Sequence, residues 1–273
     1  MTEFNRLVCG DNVEFMRTLP EDCVDLTVTS PPYDDLRTYN GYSFDFEAVA
    51  NELYRITKPG GVVVWVVGDK SDKGSETLTS FKQALYFKEI GFNVHDTMIY
   101  EKAGSAPPHN KRYLQCFEYM FILSKGTPKT GNMLCDRKNN WGGHASFGQS
   151  SIREKDGSLT PKKKRIIPEF GRRFNIWRYA NGLGFSTKDK LAYEHPAIFP
   201  EQLVHDHIVS WSEPGDIVFD CFTGSGTTLK MAILADRKYL GVEISDEYVA
   251  IANERIRQAI DAKSTQEETE VTR

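Results

Sequence analysis

The chain has 273 residues, of which 40% are hydrophobic and 26% charged, an ordinary composition for a soluble globular protein with one large domain, some insertions and a sizeable core. A net charge of −4 excludes a globally basic nucleic-acid binder, so any such contact has to come from a local patch. Five scattered cysteines without a CxxC pair, and no signal peptide, point to a reducing cytoplasm, and no apolar run approaches the ~20 residues of a membrane helix.

In chain order, Arg6–Cys9 reads as a short strand. A helix follows over 13–19, capped by Asp11 or Asn12 and broken at Pro20. Val24–Thr29 is the next strand and runs into Ser30-Pro31-Pro32-Tyr33. Residues 34–42 read as a polar and aromatic loop. Phe46, Val49, Ala50, Leu53 and Ile56 make one apolar face of a helix over 44–56, stopped by Lys58-Pro59-Gly60-Gly61. Val62–Val67 is a continuous apolar run, a strand buried on both faces. A charged loop over 68–76 leads to a second amphipathic helix over 77–90, closed by Gly91. Strands follow over 92–101 and 116–124. The chain returns to helix over 194–210, to strands over 217–220 and 239–242, and to a closing helix over 246–260. The polar residues 262–273 are expected to fray. Cys9, Cys23, Cys116 and Cys221 lie in apolar runs and are expected to be buried thiols. The alternation of strand and helix predicts an α/β fold with a doubly wound, mostly parallel sheet.

Two stretches carry chemistry. Phe219-Asp220-Cys221-Phe222-Thr223-Gly224-Ser225-Gly226-Thr227-Thr228 lies between a strand and a helix. Gly224 and Gly226 let the backbone turn sharply and let a ligand approach, and the next helix aims its free N–H groups into that turn. Glu243 ends the following strand, where a carboxylate accepts hydrogen bonds from ribose hydroxyls. No GK[ST] follows the glycines, and no third glycine completes a dinucleotide fingerprint. A nucleoside cofactor carrying a carboxylate fits better than one carrying a pyrophosphate, and S-adenosylmethionine is such a molecule.

The second stretch is Ser30-Pro31-Pro32-Tyr33. Two prolines force a stiff, extended turn at the carboxyl end of a strand, the edge where open α/β sheets bind ligands. A nucleobase amine is a poor nucleophile because its lone pair is delocalised into the ring. The Ser30 hydroxyl and Pro31 carbonyl can accept from its N–H groups and draw it towards sp³ geometry, with little reorganisation. Tyr33 offers a face on which an extruded base can stack.

Together Thr29-Ser30-Pro31-Pro32-Tyr33, the 219–228 glycine stretch and Glu243 resemble the amino-methylating DNA methyltransferases of bacteria and phages. The order, catalytic tetrapeptide before cofactor motif, resembles their β group. The resemblance covers nearly the whole chain and implies a Rossmann-like methyltransferase fold with permuted motifs. It implies S-adenosylmethionine as cofactor, double-stranded DNA as partner and a cytoplasmic location, and it admits a cognate restriction endonuclease and a homodimer. Carried over, Ser30, Pro31, Pro32 and Tyr33 are catalytic. Asp11, His195, Pro196, Asp220, Phe222, Gly224, Ser225, Gly226, Thr227, Thr228 and Glu243 hold the cofactor. Cys221 departs from the family, which has Pro there in many members, and implies a slightly less rigid turn. Ser rather than Asp before Pro-Pro-Tyr favours cytosine N4 over adenine N6 as the acceptor.

From about Gly126 to Tyr193 the chain is polar, glycine-bearing and basic, and reads as an inserted target-recognition region between the catalytic part, 1–125, and the cofactor-binding part, 194–261. Lys162, Lys163, Lys164, Arg165, Arg172 and Arg173 alternate with aromatics and suit duplex phosphates. Residues 68–75 and 107–112 are further candidates to flank a DNA cleft. Trp177 reads as a core anchor. Cys135, His144, His205 and His207 do not form a four-ligand metal set. Two other readings stay open: methylation of RNA or a protein amide, and a nucleic-acid-binding module with an inactive cofactor fold.

Overall fold

A computed structural model describes residues 4–32, 44–104, 111–146, 151–161, 165–182, 184–195 and 197–271. The chain forms two compact units, one of residues 1–132 with 175–273 and one of residues 133–174.

The larger unit is built on an eight-stranded sheet. Its strands are β1 (Arg6–Cys9), β2 (Val24–Thr29), β3 (Thr57–Val67), β4 (Asn93–Lys102), β5 (Phe117–Ser124), β6 (Ile176–Tyr179), β7 (Ile217–Asp220) and β8 (Lys238–Glu243). They lie in the order β1-β8-β7-β2-β3-β5-β4-β6. Every pair is parallel except those made by β5, which runs against both β3 and β4. The mostly parallel, Rossmann-like sheet read from the sequence is the one observed. Its helices are α1 (Asn12–Arg17), α2 (Phe46–Ile56), α3 (Thr79–Glu89), α4 (Glu201–Trp211), α5 (Thr227–Leu234) and α6 (Asp246–Val271).

Local chemistry explains the boundaries. Asp11 caps α1 by accepting from the Glu14 N–H at 2.9 Å, and Asp45 caps α2 by accepting from Ala48 at 3.1 Å. The apolar face of α2 is buried at Val49, Ala50, Leu53 and Ile56. It packs into an aromatic core where Trp65 meets Phe46, Phe87 and Phe222. The indole N–H of Trp65 donates to Gln83 Oε1 at 2.8 Å, so this large buried side chain leaves no orphaned donor.

Several expectations need correction. β3 begins at Thr57, directly after α2, so the Pro59-Gly60-Gly61 segment lies inside a strand. The expected loop over 68–76 contains a small hairpin pairing Ser71–Asp72 with Ser75–Glu76. The helix expected from Glu194 starts at Glu201, after a 3₁₀ turn over Lys190–Glu194 and a Pro200 cap that cannot extend the helix backwards. α6 runs on to Val271, because the residues expected to fray include good helix formers such as Ala262, Lys263 and Gln266. Cys23 and Cys221 are buried, but Cys9 is exposed and Cys116 half-buried. Cys9 ends a strand at the rim of the sheet, which has a neighbour on one side only. Trp177, read as a core anchor, is buried and stacks on His207 with ring centres 4.6 Å apart.

The smaller unit holds two short antiparallel pairings, Ser151–Arg153 with Leu159–Pro161 and Arg137–Lys138 with Phe170–Gly171. Arg173 forks onto Asp136, and the Arg137 guanidinium lies 4.4 Å from the centre of the Phe174 ring.

Candidate active site

The carboxyl ends of β1, β8, β7, β2 and β3 line up along one edge of the sheet, and a cavity of about 840 Å³ opens there. Ser30 and Pro32 line it together with Asp220, Phe222, Gly224, Ser225, Thr227, Thr228 and Glu243. The two stretches almost two hundred positions apart in sequence therefore share one cleft. Asp11 and His195 line it as well.

Hydrogen bonds fasten the two stretches to each other. The Thr29 hydroxyl donates to Asp220 Oδ1 at 2.6 Å, and the Thr228 hydroxyl donates to the Val28 carbonyl at 3.1 Å. Asn12 Nδ2 donates to the Cys221 carbonyl at 3.2 Å, which ties the start of α1 to the same turn. Burial lifts Asp220 from the ordinary 3.8 to about 6, against the opposing pull of its hydrogen bonds from the Thr29 hydroxyl and the Phe222 N–H. Burial also raises the Cys221 thiol well above its usual range, so it stays protonated.

The glycine turn is shaped by its neighbours. Gly224 has a φ of +51°, and a Cβ there would sit 3.0 Å from His195 Nε2. Its N–H donates to Glu243 Oε2 at 2.8 Å, while Glu243 Oε1 accepts from the Ser245 N–H at 3.0 Å. Each oxygen keeps a second lone pair, so the carboxylate is fixed and still able to accept from two hydroxyls. The His195 ring packs edge-on against Tyr248, with centres 4.3 Å apart. Gly226 plays a different part. It does not line the cavity, and a Cβ on it would meet that of Ala252 at 2.8 Å, so its role is to let α6 approach α5. Pro31 is likewise buried beside the cavity rather than lining it.

Beneath the turn lies a cluster that sequence reasoning missed. Arg255 is fully buried. It donates to Asp189 Oδ2 at 2.8 Å, to Glu201 Oε1 at 2.8 Å, to the Ser225 carbonyl and hydroxyl, and to the Thr227 hydroxyl at 3.1 Å. Lys230 adds an ion pair to Glu201 at 2.7 Å. Burial alone would raise Asp189, but the Arg255 hydrogen bond and the Arg255 and Lys230 charges prevail and hold it below the usual carboxylate range. A signal was present: Arg255 interrupts the apolar stripe Tyr248, Ile251, Ala252, Ile256, Ala259, and a charge on a buried stripe requires partners.

Tyr33, Pro196 and Lys162–Lys164 lie outside the described residues, as do residues 107–110 of the proposed cleft flank. Arg165 and Arg172 are exposed in the smaller unit, and Arg173 is paired with Asp136. Among the described residues no group of three or more His, Cys, Asp or Glu is arranged to hold a metal ion.

An open α/β sheet with a glycine turn, an acidic strand end and a rigid Ser-Pro-Pro corner on one cavity defines a nucleoside-cofactor enzyme of the methyltransferase type. The family of DNA methylases that modify amine nitrogens N6 and N4 matches this chain over residues 24–254, and the chain belongs to that family. It is 64% identical over 241 residues to the orphan methyltransferase M.BamHII of Bacillus amyloliquefaciens, covering 88% of this chain and 91% of that protein. It is 27% identical to the type II methyltransferase M.BglII of Bacillus subtilis, over 91% of this chain and 68% of the other. Among solved structures, the PvuII cytosine-N4-specific DNA methyltransferase superposes with a TM-score of 0.66 at 20% identity, covering 93% of this chain and 86% of its own, which is a likeness of fold.

Proposed function

We propose that this chain transfers a methyl group from S-adenosylmethionine to the N4 amine of a cytosine extruded from duplex DNA. The observation that carries the reading is the shared cavity of Ser30 and Pro32 with Gly224 and Glu243. The residues fit the cofactor. Glu243 is held rigid at the strand end with lone pairs to spare for ribose hydroxyls, and α5 presents its first N–H groups to a carboxylate. S-adenosylmethionine supplies an electrophilic methyl on a sulfonium centre.

The chain's own residues do the rest. Phe222 and Gly224 line the methionine and adenine parts of the cofactor, Thr227 and Thr228 bond its amino-acid end, and Asp11 accepts from the adenine amine. Ser30 Oγ accepts from the target amine and pulls its nitrogen out of conjugation, and the Pro31 carbonyl is a second acceptor if base binding opens the cavity onto it. The stiffness of Pro31-Pro32 keeps those acceptors in place during the reaction. Tyr33 stacks on the base. No covalent intermediate with the protein is needed, and holding donor and amine in line supplies much of the acceleration.

Target recognition falls to the basic stretch within residues 126–193, with Lys162–Lys164, Arg165, Arg172 and Arg173 neutralising phosphates, while residues 126–132 and 175–193 of that stretch belong to the larger unit. A bacterial cytoplasm is the site of action, and a cognate restriction endonuclease and a second copy of the chain are further partners this reading admits. No described helix is long and apolar enough to cross a membrane. The test is to incubate DNA with the protein and the cofactor, digest it to nucleosides and identify the product by mass spectrometry. N4-methylcytosine is the expected product; N6-methyladenine would overturn the choice of base, and unmodified DNA the activity.

A further inference from the structure

We propose that Lys102, held in place by Glu118, donates a hydrogen bond to the O2 oxygen of the target cytosine and so determines which base the site accepts. This deepens the cytosine-N4 reading above and rests on it. The sheet edge gives the geometry. Along it the strand ends carry Glu243 on β8, Asp220 on β7, Ser30 after β2, Gly68 after β3, Glu118 on β5 and Lys102 on β4. Ser30 divides this row. The cofactor residues all lie on one side of it, so the base has to occupy the other.

Lys102 and Glu118 sit on that other side, and both line the same cavity as Ser30. Strands are about 4.8 Å apart, so β5 lies about 10 Å from β2. That span accommodates a pyrimidine with a hydrogen bond of about 3 Å at each end. Gly68, between them, carries no side chain to obstruct a ring. The Lys102 ammonium is paired with the Glu118 carboxylate, with side chains 28% and 14% exposed, so it is held in position rather than swinging free. Tyr100, buried and raised well above its usual range by burial and then by Glu118, stays a neutral phenol beside them.

The charge pattern points the same way. Lys102 is the single lysine or arginine among the described residues lining the cavity, whose other ionic groups include Asp11, Asp69, Asp220 and Glu243. A base site for an amine needs acceptors at the amine and a donor for the ring's own acceptors. Cytosine presents O2 at the far end of the edge that carries its amine. Adenine presents a C2–H there, which offers an ammonium nothing to bind. A donor at O2 also favours the form in which the amine lone pair is delocalised, so this contact selects the base rather than activating it.

The test begins with the wild-type product, identified by nucleoside mass spectrometry, and its target sequence, found by sequencing the methylated DNA. kcat/KM is then measured on that duplex and on one with adenine at the target position, for wild type, Lys102→Met and Glu118→Gln. Calorimetric cofactor binding verifies that each variant is folded. The cytosine-to-adenine ratio of kcat/KM is expected to fall at least about tenfold in Lys102→Met, and by less in Glu118→Gln. A folded Lys102→Met with a ratio within twofold of wild type overturns the inference. Should that variant not fold, the same ratio in Glu118→Gln decides. A wild type that makes N6-methyladenine overturns the cytosine reading and this inference together. An unchanged ratio in variants of an enzyme that makes N4-methylcytosine overturns this inference alone.

Discussion

Replacing Arg255 with Met should both destabilise the protein and loosen its grip on the cofactor. The guanidinium is fully buried and bridges α6, Asp189 at the start of the 3₁₀ turn, α4 and the glycine turn. Met fills the space of the aliphatic stem but leaves Lys230 as the one cation on the carboxylates of Asp189 and Glu201 among the described residues, and leaves the Ser225 carbonyl without its donor. Breaking a buried ion pair by removing one partner costs about 3–5 kcal/mol. The two carboxylate side chains are 14% and 22% exposed, so water can relieve part of the loss and the lower end applies, about 3 kcal/mol. Urea unfolding of wild type, Arg255→Met and Arg255→Lys measures this directly. Lys keeps the charge but not the fork, and should fall between the other two. Because the lost donors hold Ser225 and Thr227, calorimetry should show cofactor affinity weakened at least about tenfold in Arg255→Met. A variant within about 1 kcal/mol of wild type and with unchanged affinity would refute the view that this cluster holds the turn.

Asp220 gives a pH signature. Its folded pKa of about 6 exceeds the ordinary 3.8, so its contribution is fully present below pH 3.8 and is lost as pH rises through 6. Wild type should therefore lose about 2 kcal/mol relative to Asp220→Asn between pH 4 and 7, measured by urea unfolding of both; a constant difference would contradict the burial argument. Gly226→Ala forces a side chain onto a φ of +81° and sets its Cβ 2.8 Å from that of Ala252. A loss of about 1–3 kcal/mol is expected from thermal or urea unfolding. Ser30→Ala should bind S-adenosylmethionine normally by calorimetry yet lower kcat at least about 100-fold, because one acceptor for the amine is gone. Arg172→Ala should weaken DNA binding evenly across sequences and flatten its dependence on salt.

Much of the fold was legible because its elements are locally determined. The 3.6-residue spacing of α2, the alternating apolar residues of β2 and the continuous apolar run Val62–Val67 of β3 need no tertiary information, and each lies within the element read from it. The cavity was legible because a glycine turn and a Pro-Pro corner each have to stand at a strand end, and strand ends of a parallel sheet share an edge. Other features depend on contacts distant in sequence. β6, at the rim of the sheet beside β4, is four residues long with only Trp177 buried, so it shows neither alternation nor an apolar run. The Thr29 and Thr228 hydroxyls look like ordinary strand and helix residues until they meet Asp220 and Val28. Gly226 looked like a ligand-facing glycine, but the close approach that requires it is that of α6. The start of α4 was misplaced because Glu194 and His195 continue a helical pattern that Pro200 then forbids.

The proposed reaction requires one cavity to hold the methyl donor and an extruded base on opposite sides of Ser30. A crystal structure with a non-transferable cofactor analogue and a duplex carrying the target sequence tests it most directly. The expected complex has the ribose on Glu243 and the base amine about 3 Å from Ser30 Oγ. A base still stacked in the duplex, or a cofactor bound away from the Gly224 turn, would contradict it.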